Sequence, residues 1–175
     1  MFGPGFGECI ALHLGGGNWA IVDSCLDATS KQPTSLHYLT SIGANPATFK
    51  LPHHGSPTGD SAEVWSKMAV EQTCAITTPF VRGSVRLPSL ADCQRILSKT
   101  QNAYLSAPPL PGKFRDSNKA VERTVQEATR LVQFVPGKYG HVRLRKLLDE
   151  KPGILWRVEL FGSAMSMADY VRTTS

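Results

Sequence analysis

Lys50-Leu51-Pro52-His53-His54-Gly55-Ser56 is the stretch on which the reading of this chain turns. It places two of the five histidines side by side, between an apolar lead-in and a helix start. Proline and glycine mark the segment as a loop, where an imidazole is either solvated and hydrogen-bonded to backbone or available as a ligand. A zinc site takes three or more protein ligands, so the pair taken alone reads as a polar turn in preference to a metal wall.

Working outward, the segments on either side alternate between strand and helix patterns. Glu8 to Leu14 and Trp19 to Asp23 are apolar runs around Gly15-Gly16-Gly17-Asn18, which predicts a β-hairpin closing on an acid, Asp23. Such an aspartate either caps the next loop or belongs to a site at the strand end. Leu36, Leu39 and Ile42 recur at helical spacing after Thr34, with Gly43 as a stop. Asn45-Pro46 then reads as a turn leading to Lys50.

Beyond the histidines, Asp60 and Glu63 have capping-box spacing ahead of Val64, Trp65 and Met68. Cys74 to Thr78 predicts a buried strand, 81–88 a polar loop, Leu90 to Leu97 a helix and Ala103 to Ala107 a short strand. Asp116 or Ser117 is placed to cap a helix carrying Val121, Val125, Ala128 and Val132. Val142 to Arg145 and Trp156 to Leu160 alternate as half-buried antiparallel strands do, with His141 at the edge of the first. The last residues, 163–175, carry little pattern and are expected to fray. Mixed strands and helices without a linker predict one α/β or α+β layered domain over 1–162.

Composition narrows the class. A chain of 175 residues with 41% hydrophobic and 19% charged residues can bury one core. Four scattered cysteines without a CxxC pair predict reduced core thiols rather than a disulfide framework. No apolar run approaches the ~18 residues of a membrane span, and no leader pattern opens the sequence, so the expectation is a soluble cytoplasmic protein with no membrane partner. Residues 111–175 hold twelve Lys/Arg against seven Asp/Glu and therefore the entire net charge of +5. Such an excess suits a polyanionic partner.

Together, the hairpin ending Ile21-Val22-Asp23-Ser24-Cys25, the Lys50–Ser56 motif, the following helix around Trp65, Thr77-Thr78-Pro79-Phe80, and the closing Gly140-His141-Val142-Arg143 and Trp156-Arg157-Val158-Glu159-Leu160-Phe161-Gly162 resemble the metallo-β-lactamase-fold hydrolases. Within that family the His-His-Gly-Ser motif is most similar to the competence-type subgroup. The resemblance implies an αββα sandwich, zinc as cofactor, His54 and then His53 as metal ligands, and Asp23 at the site. It implies hydrolysis of an ester, lactam or phosphodiester by a metal-bound hydroxide.

The family's main ligand signature, HxHxDH at a strand end, has no counterpart in this sequence. The chain resembles a family member lacking its central segment, with the junction near Phe49-Lys50. The expectation is therefore a degenerate metal site, weak or inactive, with one or two ligands in place of a full set. Three alternatives stand beside it. One is a non-catalytic module binding nucleic acid through Arg143, Arg145, Lys146 and Arg157; another is a metal site completed between subunits of an oligomer; the third is a gene fragment without selected function.

Overall fold

The computed structural model describes residues 9–15, 17–24, 34–68, 73–110, 119–128, 140–145 and 156–174. The expected hairpin forms from β1 (Ile10–His13) and β2 (Asn18–Val22), antiparallel with Ile10 opposite Val22. Helix α1 (Thr34–Ser41) buries Leu36 and Leu39 and stops at Gly43, whose φ of +77° suits a residue without a Cβ. Ile42 lies between the last helical residue, Ser41, and Gly43, and is exposed rather than part of the stripe.

The next segment departs from the sequence reading. Asn45-Pro46 opens a strand, β3 (Asn45–Lys50), instead of a turn. Proline is tolerated because it sits at the strand start, before β4 (Cys74–Thr77) joins at Thr48; only one neighbour, β2, pairs there. The Phe49-Lys50 junction falls inside this strand, with Phe49 paired to Ile21 on one side and Ala75 on the other.

After a short turn at His53–Gly55 come α2 (Ala62–Ser66), β4, the hairpin β5 (Phe80–Arg82) and β6 (Val85–Leu87), α3 (Leu90–Leu97) and β7 (Ala103–Leu105). The hairpin replaces the polar loop expected at 81–88; its side chains are largely exposed, so it lacks the apolar alternation that would have announced it. Helix α4 (Lys119–Ala128) is in place, whereas its expected caps and Val132 lie outside the described residues.

The chain closes with the antiparallel pair β8 (Gly140–Arg145) and β9 (Arg157–Gly162), then β10 (Met165–Ser166) and α5 (Met167–Thr174). Residues 163–174 thus do not form a frayed tail: β10 pairs with β7, and α5 buries Met167 and Tyr170. The Ser166 hydroxyl accepts from the Asp169 N–H and caps the helix.

The main sheet has the order β1-β2-β3-β4-β7-β10, with β2, β3, β4 and β7 parallel and an antiparallel strand at each edge. Every crossover advances in one direction along the sheet, and right-handed crossovers then bring the connecting helices to one face. Ile21, Phe49, Ala75, Ala103 and Leu105 share that face by register and form one buried cluster with Leu36, Leu39, Trp65 and Ile96. Phe49 meets Trp65 edge-on at 5.5 Å. This is a mixed α/β architecture. The strand pair β8–β9 forms its own small sheet, seated where Gly140 meets the backbone of Ser106, Phe161 and Ala164.

Backbone cannot yield as a side chain can, so Gly140→Ala is expected to lower stability by more than about 2 kcal/mol. Urea denaturation of the variant against the wild type measures this; an unchanged midpoint would show that the seat is loose.

Candidate functional site

The carboxyl ends of β2 and β3 lead into the three residues singled out by the sequence. Asp23, His53 and His54 are the only non-glycine residues with positive φ among those described, at 63°, 45° and 57°. Gly55 follows at 79°, so His53-His54-Gly55 is a single turn of three left-handed residues. Each non-glycine residue in that region costs about 1–2 kcal/mol, which only surrounding contacts can offset.

Those contacts are specific. Within the turn, Gly55 N–H donates to Pro52 O at 2.9 Å and Ser56 N–H to His53 O at 3.1 Å. The Arg95 guanidinium of α3 donates to Gly55 O at 2.7 Å and to the Asp60 carboxylate at 2.5 Å. Asp60 also accepts from the Trp65 indole N–H at 2.9 Å, joining α2, α3 and the turn through one carboxylate. Asp60 therefore does not act in the expected capping box. Ser61 caps α2 instead, accepting from the Val64 N–H. Burial raises the Asp60 carboxyl above its ordinary value, while the bonds from Arg95 and Trp65 pull it down.

The imidazoles are oriented by different partners. His54 Nδ1 lies 2.8 Å from Thr78 O, just past β4, and the ring stacks on Phe80 of β5 at 5.1 Å. A carbonyl only accepts, so Nδ1 carries the proton, and in the neutral form of the ring the lone pair lies on Nε2. His53 Nδ1 lies 2.9 Å from Thr58 Oγ1, which also meets Ser56 Oγ at 2.9 Å. His53 is exposed and His54 half-buried.

Asp23 joins this region through the backbone. Its N–H donates to Lys50 O at 3.1 Å, and the hydroxyl of the buried Ser24 donates to Gly59 O at 2.5 Å, tying the end of β2 to the loop after the histidines. Asp23 Oδ1 accepts from the Ser24 N–H at 2.7 Å, a contact to the adjacent residue. Half-buried Lys50, of which the sequence reading made nothing, has its ammonium pushed down by burial and held up by the Asp23 charge.

The fit to zinc is partial. His54 offers one nitrogen in the correct tautomer, and no group of three or more His, Cys, Asp or Glu placed to hold a metal exists among the described residues. Three protein ligands are the usual minimum for catalytic zinc, and among the described residues His54 is the one imidazole oriented in this way by a carbonyl. Thiol chemistry does not compensate, because burial pushes Cys74 and Cys93 up to about 12, with the Asp92 charge adding to the effect at Cys93. Cys25 lies outside the described residues. Comparison with known proteins returns no matching family model, no matching curated relative and no matching solved structure.

Sequence reasoning missed Arg95. Its place on the α3 surface looks solvent-facing, and only the pairing with a buried Asp60 35 residues earlier reveals its role. Arg95→Met would leave Asp60 without its cation and is expected to destabilise the chain by about 3 kcal/mol at neutral pH. The raised carboxyl of Asp60 would rise further, so the native chain would hold a proton that the unfolded chain has released. Stability then falls as pH rises above the ordinary carboxylate value of 3.8, and falls more steeply in the variant than in the wild type. Urea midpoints at acid and neutral pH test this; a deficit independent of pH contradicts it.

Proposed function

We propose that this chain is a relative of the metallo-β-lactamase-fold hydrolases that keeps one wall of the metal centre and lacks the rest of the ligand set, so that hydrolysis is weak or lost. The observation that carries the reading is the strained left-handed turn His53-His54-Gly55 beside the left-handed Asp23, at the carboxyl ends of adjacent parallel strands. Backbone strain of this kind collects at functional sites, and the carboxyl edge of a parallel sheet is where open α/β folds place them. Two features therefore coincide at the residues that the resemblance names.

The incompleteness rests on the sequence, which has no HxHxDH segment. In the αββα sandwich implied by the resemblance, the missing central segment would supply further strands and most of the ligands. What this chain's own residues do is narrower. Thr78 fixes the His54 tautomer, Arg95 holds the turn, and Lys50 offers a cation beside Asp23. These residues orient a ligand or an anionic substrate group without activating water.

Calorimetric titration with zinc is the test. The expected result is one weak event, lost in His54→Ala and retained in His53→Ala. Tight binding of two metals per chain would overturn the degenerate site, and metal-dependent dimerisation in sedimentation would instead support ligands shared between subunits.

A further inference from the structure

The β8–β9 ribbon lies apart from the histidine turn and carries a face that the proposed function does not use. Its register pairs His141 with Phe161, Arg143 with Glu159 and Arg145 with Arg157. Cross-strand partners project to the same side, and so do residues two apart along a strand, so all six side chains share one face. Val142, Leu144, Val158 and Leu160 occupy the other. One surface therefore presents three arginines and a histidine against a single carboxylate.

The arrangement is organised rather than diffuse. Glu159 is the hub: Arg143 Nε lies 2.5 Å and Arg145 Nε 3.3 Å from Oε2, and Arg157 Nε 3.6 Å from Oε1. Partial desolvation pushes the Glu159 carboxyl up, but the bond from Arg143 and the charges of Arg143, Arg145 and Arg157 outweigh it and hold it below the ordinary value. One anion cannot neutralise three guanidiniums, so an excess of positive charge remains, on side chains that are 45%, 51% and 64% exposed.

Flat groups adjoin this charge. The Arg143 guanidinium lies over the Phe161 ring at 4.8 Å, and Phe161 stacks on His141 at 4.5 Å with 12° between the planes. His141 is exposed, so the stack ends in a planar imidazole open to solvent. Cations spaced along a ribbon beside an aromatic step match a flexible phosphodiester chain with unstacked bases. They do not match a duplex, whose bases are unavailable for stacking, or a lipid surface, which has no flat groups to stack.

We propose that the Arg143–Arg145–Arg157 face of the ribbon is a docking surface for single-stranded nucleic acid, with the arginines on phosphates and His141 under a base. The surface is independent of any metal chemistry and survives failure of the proposed function. Lys146, at the end of the same stretch, lies outside the described residues and is not needed.

Fluorescence anisotropy of labelled oligonucleotides of about 12 nucleotides with the full chain tests this. Single strands, RNA or DNA, are expected to bind at low salt, with log K falling linearly with log salt. Replacing all three arginines by glutamine is expected to weaken binding by at least about tenfold and to flatten the salt slope by about 2, for three phosphates released. His141→Ala is expected to weaken binding about fivefold with the slope unchanged. Glu159→Gln removes the internal counter-ion and is expected to tighten binding while the thermal transition stays cooperative, a gain that damage to the fold would not give. Arg123→Gln, at an exposed position of α4, lowers the net charge and should leave affinity unchanged.

No binding at the lowest salt, full affinity in the triple variant, or equal affinity for a duplex would overturn the proposal. So would binding to phosphatidylserine vesicles in place of oligonucleotides.

Discussion

One buried carboxylate connects two helices that cover the sheet and, through its arginine partner, the histidine turn. Asp60 accepts from Trp65 on α2 and from Arg95 on α3, and Arg95 in turn holds Gly55 of the histidine turn. Without that connection the two helices would still cover the sheet, because Phe49, Ile96 and Trp65 pack regardless of it. The turn would not survive so easily. Three successive left-handed residues need an external hold, and the guanidinium supplies the one that reaches it from a rigid element. A buried ion pair is a poor source of stability but a good way of fixing geometry, and here the geometry fixed is that of two imidazoles.

The sheet explains why the strain falls where it does. Parallel strands β2 and β3 end side by side, and the chain must leave both at the same edge. Asp23 and His53-His54 are the first residues beyond the strand ends to turn sharply, and each does so in the left-handed region. Thr78, one residue past β4, then lies where its carbonyl meets His54. The ends of two adjacent strands, β3 and β4, thus meet at one imidazole, which is how a parallel sheet gathers polar groups at its carboxyl edge.

Much of this was legible in the sequence where patterns are local. The β1–β2 hairpin, the apolar faces of α1 and α3, the buried β4 and the alternation of β8 and β9 all follow from periodicity and glycine placement. The histidine pair announced its turn, although nothing local predicted left-handed residues there. Pro46 and Asp60 were misread because their roles depend on packing and strand pairing rather than on local pattern. Pro46 looked like a turn because its tolerance in β3 depends on β4 starting only at Thr48. Asp60 looked like a cap because its true partners, Trp65 and Arg95, are chosen by packing. The final helix was overlooked although Ser166 and Asp169 carry the spacing of a cap, because Met167 and Tyr170 make a stripe too short to stand out.

The turn orients His54 so that its Nδ1–H donates to Thr78 O and Nε2 is left to a ligand in the proposed site. Long-range nitrogen–proton correlation NMR of the histidine rings reads this directly, because the two tautomers give different nitrogen shifts and coupling patterns. In the neutral form of the His54 ring the proton is expected on Nδ1, and that preference is expected to be lost in Arg95→Met as the turn relaxes. A proton resident on Nε2, or rapid exchange between tautomers in the wild-type chain, would contradict it.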